Sequence, residues 1–269
     1  MSKNCILKNK FSKSDFPKAE ETLKDSDLVQ NLCLERAKKA GPEQYSQARL
    51  LVPPSDSDLE KELAMMFLDI RNFTAFMESR SAHEVVSVIR KLFVLFGESV
   101  KKNGGRIIEV SGDSLYAVFG LKSSVTDAVK ASYQTAVDIF ADLEIFNSRY
   151  AMPYFDHNFD IGIGLHSGMT VVGQFDLDFK EHMTVMGLPV NLASRLQNET
   201  KVQNNNLLIS EEAYQMLELE DEDHEQRTVF LKGISEAQQV RLLGKPYTEI
   251  RTGRSVLGGD FDYMLAFSG

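Results

Sequence analysis

An α+β fold, with helices packed on one face of a mainly antiparallel sheet, is what the sequence predicts. Strand-like and helix-like stretches follow one another in the order strand, helix, hairpin, helix, hairpin, helix, strands. Several of the strand-like runs also come in close pairs, the pattern of antiparallel hairpins. The 269 residues, 43% of them hydrophobic, suffice for one substantial catalytic domain plus extra segments, or at most two small domains.

Residues 1–55 read as an N-terminal extension and linker. A helix-compatible stretch from Pro17 to Ala40 stops at Gly41 and Pro42, and the adjacent prolines of "LVPPSDSD" exclude both helix interior and sheet centre. The main domain is expected over residues 56–250, with a C-terminal tail over 251–269. "ELAMMFLDI" is a continuous apolar run, as in a strand covered on both faces. Val85, Val86, Ile89, Leu92, Phe93, Phe96 and Val100 then recur at helical spacing until "NGG" closes the helix. "RIIEV" and "SLYAVFG" form a hairpin with Gly112 and Asp113 at its tip, and a second helix fits Thr126 to Phe146. "FDIGIGLHSG" and "MTVVGQ" read as a second hairpin, "HMTVMG" as a further strand, and "PVNLASRLQNET" as a helix. "VFLKGI" and "QVRLLGK" close the domain as strands, and the acidic "ELEDEDHEQ" is a solvated loop.

The formal charge of -9 argues against bulk binding to nucleic acid or anionic lipid, so a phosphate ligand would need metal ions or focused donors. Two cysteines, Cys5 and Cys33, leave no disulfide framework and no cysteine-based zinc site. No apolar run is long enough to cross a bilayer and the N-terminus lacks the apolar core of a secretory signal, so a cytoplasmic location is the expectation. P-loop, H-E-x-x-H and G-x-S-x-G motifs are absent. "GIG" at Gly162–Gly164 lies in a strand pattern and is no dinucleotide fingerprint, and His166 reads as a packed or turn histidine.

Asp69 ends the first strand and Asp113 sits on the following hairpin turn. If those strands are neighbours, the two carboxylates make a hard-oxygen site suited to Mg²⁺ or Mn²⁺, as two-metal phosphoryl transfer requires. Each also has a plainer reading: Asp113 as a turn former, and Asp69 as the partner of Arg71 in a structural salt bridge. The backbone that follows, Asn72, Phe73 and Thr74, opens a helical segment whose free N–H groups suit a triphosphate, although an N-cap role explains Asn72 or Thr74 equally well. Asn191 and Arg195 lie four residues apart on one helix face, fit to hold a ribose and stabilise phosphate charge, or simply to be solvated.

"FLDIRNFTAF", "GGRIIEVSGDSLYAVFG", "IGIGLHSGMTVVG" and "TVMGLPVNLASRL" together resemble the class III nucleotidyl cyclases, the adenylate and guanylate cyclase catalytic domain family, across about residues 60 to 245. The resemblance implies a ferredoxin-like α+β core working as a homodimer with active sites shared between subunits. It implies two divalent ions, Mn²⁺ or Mg²⁺, held by Asp69 and Asp113 with the carbonyl of Ile70. Substrate contacts would come from Phe67 and the backbone of Asn72, Phe73 and Thr74, with Asn191 and Arg195 supplied by the other subunit. The implied reaction closes a nucleoside triphosphate to a 3',5'-cyclic nucleotide and releases pyrophosphate.

The family's base-reading positions align with Glu109 and Thr184, which complete neither the adenine nor the guanine pattern, and Lys232 aligns loosely with its phosphate lysine. A stand-alone cyclase with Tyr45 and Arg49 just before the core looks like the bacterial pyrimidine cyclases of the Pycsar anti-phage system. That likeness implies UTP as the favoured substrate, Tyr45 filling the pocket space a smaller base leaves, and cyclic UMP acting on a separate effector. A guanylate or adenylate cyclase, or an inactive cyclase-like dimerisation module, is the alternative.

Overall fold

The computed structural model describes residues 59–177, 180–219 and 224–247. All of them belong to the second of two units into which the chain divides, Asp58–Gly269. Tyr45, the N-terminal helix-compatible stretch, the proline linker and the tail over 251–269 lie outside the described residues. Among the described residues no helix is long and apolar enough to cross a membrane.

The central strand is β1 (Leu59–Ile70), whose last eight residues are all buried. Burial on both faces explains why it reads as an unbroken apolar run rather than an alternation. After it come α1 (Phe73–Glu78), α2 (Ala82–Lys102), β2 (Arg106–Ser111), β3 (Ser114–Phe119) and α3 (Val125–Phe146). A π-helical turn, Asn147–Ala151, and a short α4 (Met152–Phe155) lead into β4 (Ile161–Leu177) and β5 (Lys180–Met186). Then follow α5 (Leu188–Val202), β6 (Leu207–Ser210), α6 (Glu211–Gln215), β7 (Gln226–Val229) and β8 (Gln238–Leu242).

The strands form one sheet in the order β2-β3-β1-β4-β6-β8-β7, with β5 paired to the far end of β4. All pairings are antiparallel except β4 with β6. β1 runs between β3 and β4, with Asp69 opposite Ser114 on one side and Gly162 on the other.

The two faces of the sheet carry different helices. Ala64, Met66, Leu68 and Ile70 pack with Val88, Leu92 and Phe96 of α2 and with Ala136 and Ile139 of α3. Leu63, Met65 and Phe67 point the other way, into a cluster with Tyr116, Val118, Val185 and Ala193 of α5. Helices therefore cover both faces, not one. α2 starts in a capping box in which the Ser81 side chain accepts from the Glu84 N–H and the Glu84 carboxylate accepts from the Ser81 N–H.

Two expected boundaries differ. "FDIGIGLHSG" and "MTVVGQ" form one continuous strand, β4, and the hairpin is β4 with β5. The glycine taken for a turn, Gly168, is there for another reason: a Cβ on it would lie 2.7 Å from the Pro189 ring of α5. In a strand, glycine marks close approach of a neighbour as readily as it marks a bend. "VFLKGI" contributes only Val229 to a strand; Gly233, at φ 81°, turns the chain there instead. The strand β6 and the helix α6, too short to show a period, had no expectation attached to them.

Candidate active site

Asp69 is buried at the end of β1, its Oδ1 accepting from Arg71 Nη1 at 2.7 Å and its Oδ2 from the Ser114 hydroxyl at 3.0 Å. The plainer reading of this carboxylate is thus realised: Arg71 is its ion-pair partner. It does not exhaust the group, because each carboxylate oxygen keeps a second lone-pair direction for a cation. The expected neighbourhood of the two aspartates is present as well. β1 and β3 are adjacent, and the Ile70 N–H donates to the Asp113 carbonyl at 3.1 Å, holding the hairpin turn against the end of β1.

Asp113 is half-buried, and its side chain accepts no hydrogen bond from another side chain among the described residues. Burial raises its pKa from the ordinary carboxylate value, and the charge of Asp69 raises it further, while Lys201 and Arg71 act in the opposite sense. A half-buried carboxylate whose charge is opposed by burial and by the neighbouring Asp69 is a donor that a divalent cation would relieve, and with the Asp69 oxygens beside it the residues present fit such an ion.

The backbone leaves β1 sharply. The Arg71 N–H donates to the Asp160 carbonyl at 2.7 Å, and Asn72 adopts a left-handed conformation at φ 55°. Asn72 stands at the N-cap of α1, yet its side chain makes no cap hydrogen bond. Phe73 is buried in the helical-face core and Thr74 is exposed, so what this turn offers a ligand is chiefly backbone N–H groups. Phe67 lies two residues before Asp69 on the same face, buried and stacked on Tyr116 with ring centroids 4.4 Å apart. The Tyr116 hydroxyl is buried without a hydrogen-bond partner among the described residues.

The other group of candidates sits elsewhere in the chain. Ala193, Leu196, Gln197 and Thr200 form the buried stripe of α5. At 100° per residue Asn191 and Arg195 fall on the opposite flank, turned away from the sheet face that bears Asp69. Val190 and Leu192 turn into two separate apolar clusters, so Asn191 and Arg195 share their flank with the exposed Leu188 and Val202. Lys232 is exposed in the β7–β8 connection, next to Leu231, which packs with Leu192 and Leu196 of α5. One chain therefore carries two partial constellations: Phe67, Asp69, Asp113 and the turn at Asn72, and separately Asn191, Arg195 and Lys232. The lysine whose charge does reach Asp113 within the chain is Lys201, which had drawn no attention in the sequence. Glu109, exposed on β2, pairs with Tyr116, and half-buried Thr184 on β5 pairs with Gly173; β2 and β5 approach one another.

His166 is a packed histidine, as expected: it is buried, its Nδ1 lies 2.7 Å from the Ser210 hydroxyl, and burial lowers its pKa to about 4.

Residues 56–244 match the family described as the adenylate and guanylate cyclase catalytic domain. The chain belongs to that family. Over 153 residues this cyclase-family chain is 35% identical to "Adenylate cyclase 1" of Rhizobium meliloti, covering 56% of this chain and 22% of that protein. Over 154 residues it is 29% identical to "Adenylate cyclase" of Anabaena cylindrica, covering 56% of this chain and 30% of that protein. The chain thus spans less than a third of the length of these curated relatives. Among solved structures, the adenylyl cyclase CyaB from P. aeruginosa superposes with a TM-score of 0.62 at 23% identity, over 75% of this chain and all of that one. The guanylyl cyclase Cya2 superposes with a TM-score of 0.63 at 22% identity, over 72% of this chain and 96% of that one. At such identities the superpositions speak for the cyclase fold.

Sequence reasoning missed the connections of Arg71 beyond Asp69. Its Nη2 donates to the Gln197 carbonyl at 3.1 Å and to the Thr200 hydroxyl, and its Nε donates to the Tyr247 hydroxyl at 3.1 Å. The partners lie 126, 129 and 176 residues away in sequence, beyond any local pattern. Gly162, on the neighbouring strand, leaves the space the guanidinium fills, since a Cβ there would collide with it.

Proposed function

We propose that this cyclase domain converts a nucleoside triphosphate to its 3',5'-cyclic nucleotide and pyrophosphate, at two sites shared between the subunits of a homodimer. The observation that carries the reading is the division within one chain: the paired carboxylates lie on the sheet face beneath α5, and Asn191 and Arg195 lie on the flank of α5 turned away from them. A second copy, placed so that its α5 flank faces these carboxylates, completes both sites at once, as two-fold symmetry allows.

In the working site Asp69 and Asp113, with the Ile70 carbonyl beside them, would hold two divalent ions, and the backbone after Asp69 would present N–H groups to the triphosphate. When bound, these ions lower the pKa of the ribose 3'-hydroxyl and offset charge on the phosphates. Asn191 orients the ribose so that this hydroxyl lies in line with the α-phosphorus. Arg195 neutralises the charge that grows on the phosphate oxygens as the new O–P bond forms and the bond to pyrophosphate breaks. Lys232 adds charge at the terminal phosphates.

Two readings of the base are in play, each with its own support. Glu109 and Thr184 complete neither purine pattern, which favours a pyrimidine, UTP before CTP; an antiviral messenger acting on a separate effector would follow. The names of the curated relatives favour ATP. Incubation of the pure protein with Mn²⁺ and each of the four triphosphates, with products identified by mass, decides between them. Cyclic UMP is expected under the first reading and cyclic AMP under the second; no cyclic product from any triphosphate would refute the enzyme reading. Asp69→Ala should abolish product while the protein still elutes as a folded dimer.

A further inference from the structure

We infer that Arg71 is a positioning residue that couples the two halves of the chain's catalytic equipment, tying the carboxylate of Asp69 to the helix that serves the other subunit's site. The inference rests on the shared-site reading above.

Arg71 is 6% exposed, and all three guanidinium nitrogens are engaged. Nη1 holds Asp69 Oδ1, Nη2 holds the Gln197 carbonyl and the Thr200 hydroxyl of α5, and Nε holds the Tyr247 hydroxyl. Tyr247 in turn donates to Thr200 at 3.0 Å, and its ring lies 5.6 Å from the guanidinium carbon. A structural salt bridge for Asp69 would need only one edge of the fork. Here the planar group is spent on bridging β1 to α5 and to the chain after β8, a geometry that lysine cannot reproduce. Space is reserved for it as well: Gly162, directly opposite Asp69 on β4, has no side chain, and a Cβ there would strike the guanidinium and come within 2.6 Å of Thr200 Oγ1.

The consequence follows from where α5 points. Its buried stripe carries the acceptors of Arg71, and its opposite flank carries Asn191 and Arg195. A change in the demand on Asp69 Oδ1, such as a cation drawing on that oxygen, alters the bond from Nη1, and Nη2 transmits the change to Gln197 and Thr200. One rigid helix then conveys it to residues acting in the neighbouring site. Each site is thereby sensitive to the state of the other.

Mixed dimers test this directly. In a dimer of Arg195→Ala with Asp113→Ala, one site keeps every group and the other is dead; its activity, compared with wild type, checks the shared-site reading alone. In a dimer of Arg195→Ala with Arg71→Lys, the surviving site has intact carboxylates and an intact Arg71 beside them, but takes Arg195 from a chain whose α5 has lost its fork. Activity about tenfold below the first mixed dimer is expected, since misplacement of a charged group by a fraction of an ångström is costly. Equal activity in the two mixed dimers would overturn the coupling.

An inactive first mixed dimer would instead count against the shared site. Amide hydrogen exchange gives a readout that needs no turnover. Mn²⁺ should slow exchange along Leu188–Val202 in wild type and in Tyr247→Phe, which keeps Nη1 on Asp69 and Nη2 on α5, and not in Arg71→Lys. The same Mn²⁺ response in Arg71→Lys as in wild type refutes the inference whatever the activity.

Discussion

Gly164→Ala converts the sheet–helix contact into a measurable strain. Gly164 lies in β4 opposite Phe67, and α5 crosses directly over it. A Cβ there would stand 2.6 Å from the Ala193 carbonyl oxygen and 2.8 Å from the Gln197 Cα, and nearer still to the Gln197 nitrogen, whereas ordinary contacts begin near 3.4 Å. These are helix backbone atoms, so no rotamer change can give way. α5 must retreat by about 0.8 Å or more, carrying Asn191, Arg195 and the acceptors of Arg71 with it. Overpacking of this kind costs about 1–3 kcal/mol, equivalent to a fall of roughly 4–8 °C in Tm at 2 kcal/mol for a domain of this size. On the proposed mechanism, a shift of this size in Arg195 lowers kcat by about 10- to 100-fold with the dimer intact. Chemical denaturation, size-exclusion and a product assay on one preparation give all three quantities. An alanine variant with wild-type denaturation midpoint and wild-type turnover would refute both the packing argument and the role given to the position of α5.

Three further outcomes follow from single residues. Tyr116→Phe removes a buried hydroxyl that has no hydrogen-bond partner among the described residues, and should raise the stability of the ligand-free protein by about 1 kcal/mol in urea denaturation; a loss of similar size would mean the hydroxyl is satisfied in solution. His166, held to about 4 when folded against 6.5 when unfolded, binds its proton more readily in the unfolded chain. Stability from this group is therefore complete above pH 6.5 and declines as pH falls toward 4, by about 3 kcal/mol at the limit. His166→Gln should flatten that part of the stability–pH curve, and an unchanged curve would exclude His166 as its source. Ser81→Ala breaks the capping box of α2 and should cost about 1 kcal/mol, read as a shift in denaturation midpoint without a change in slope.

Asp69 and Asp113 could be paired from the sequence because both stand at chain reversals next to apolar runs, and neighbouring strands bring such ends together. The helix bearing Asn191 and Arg195 was legible for a similar reason, since four-residue spacing survives in any helix. The strand β4 was misdivided because Gly168 looks the same in sequence whether it bends a chain or admits a proline ring from another element. The breadth of Arg71's contacts had no local trace beyond the salt bridge to Asp69, two residues away.

Composition, periodicity and the order of motifs determine that this chain builds a cyclase-family α+β domain with an acidic end to its central strand, because those properties depend on residues near one another in the chain. Tertiary structure alone decides that helices clothe both faces of the sheet, that α5 separates Asn191 and Arg195 from the carboxylates of their own chain, and that one buried guanidinium joins β1 to α5 and Tyr247. The contacts of Arg71 with α5 and Tyr247 join segments more than a hundred residues apart, and what selects them is the close fit of helix backbone to glycine and of the guanidinium fork to its acceptors once the sheet has closed.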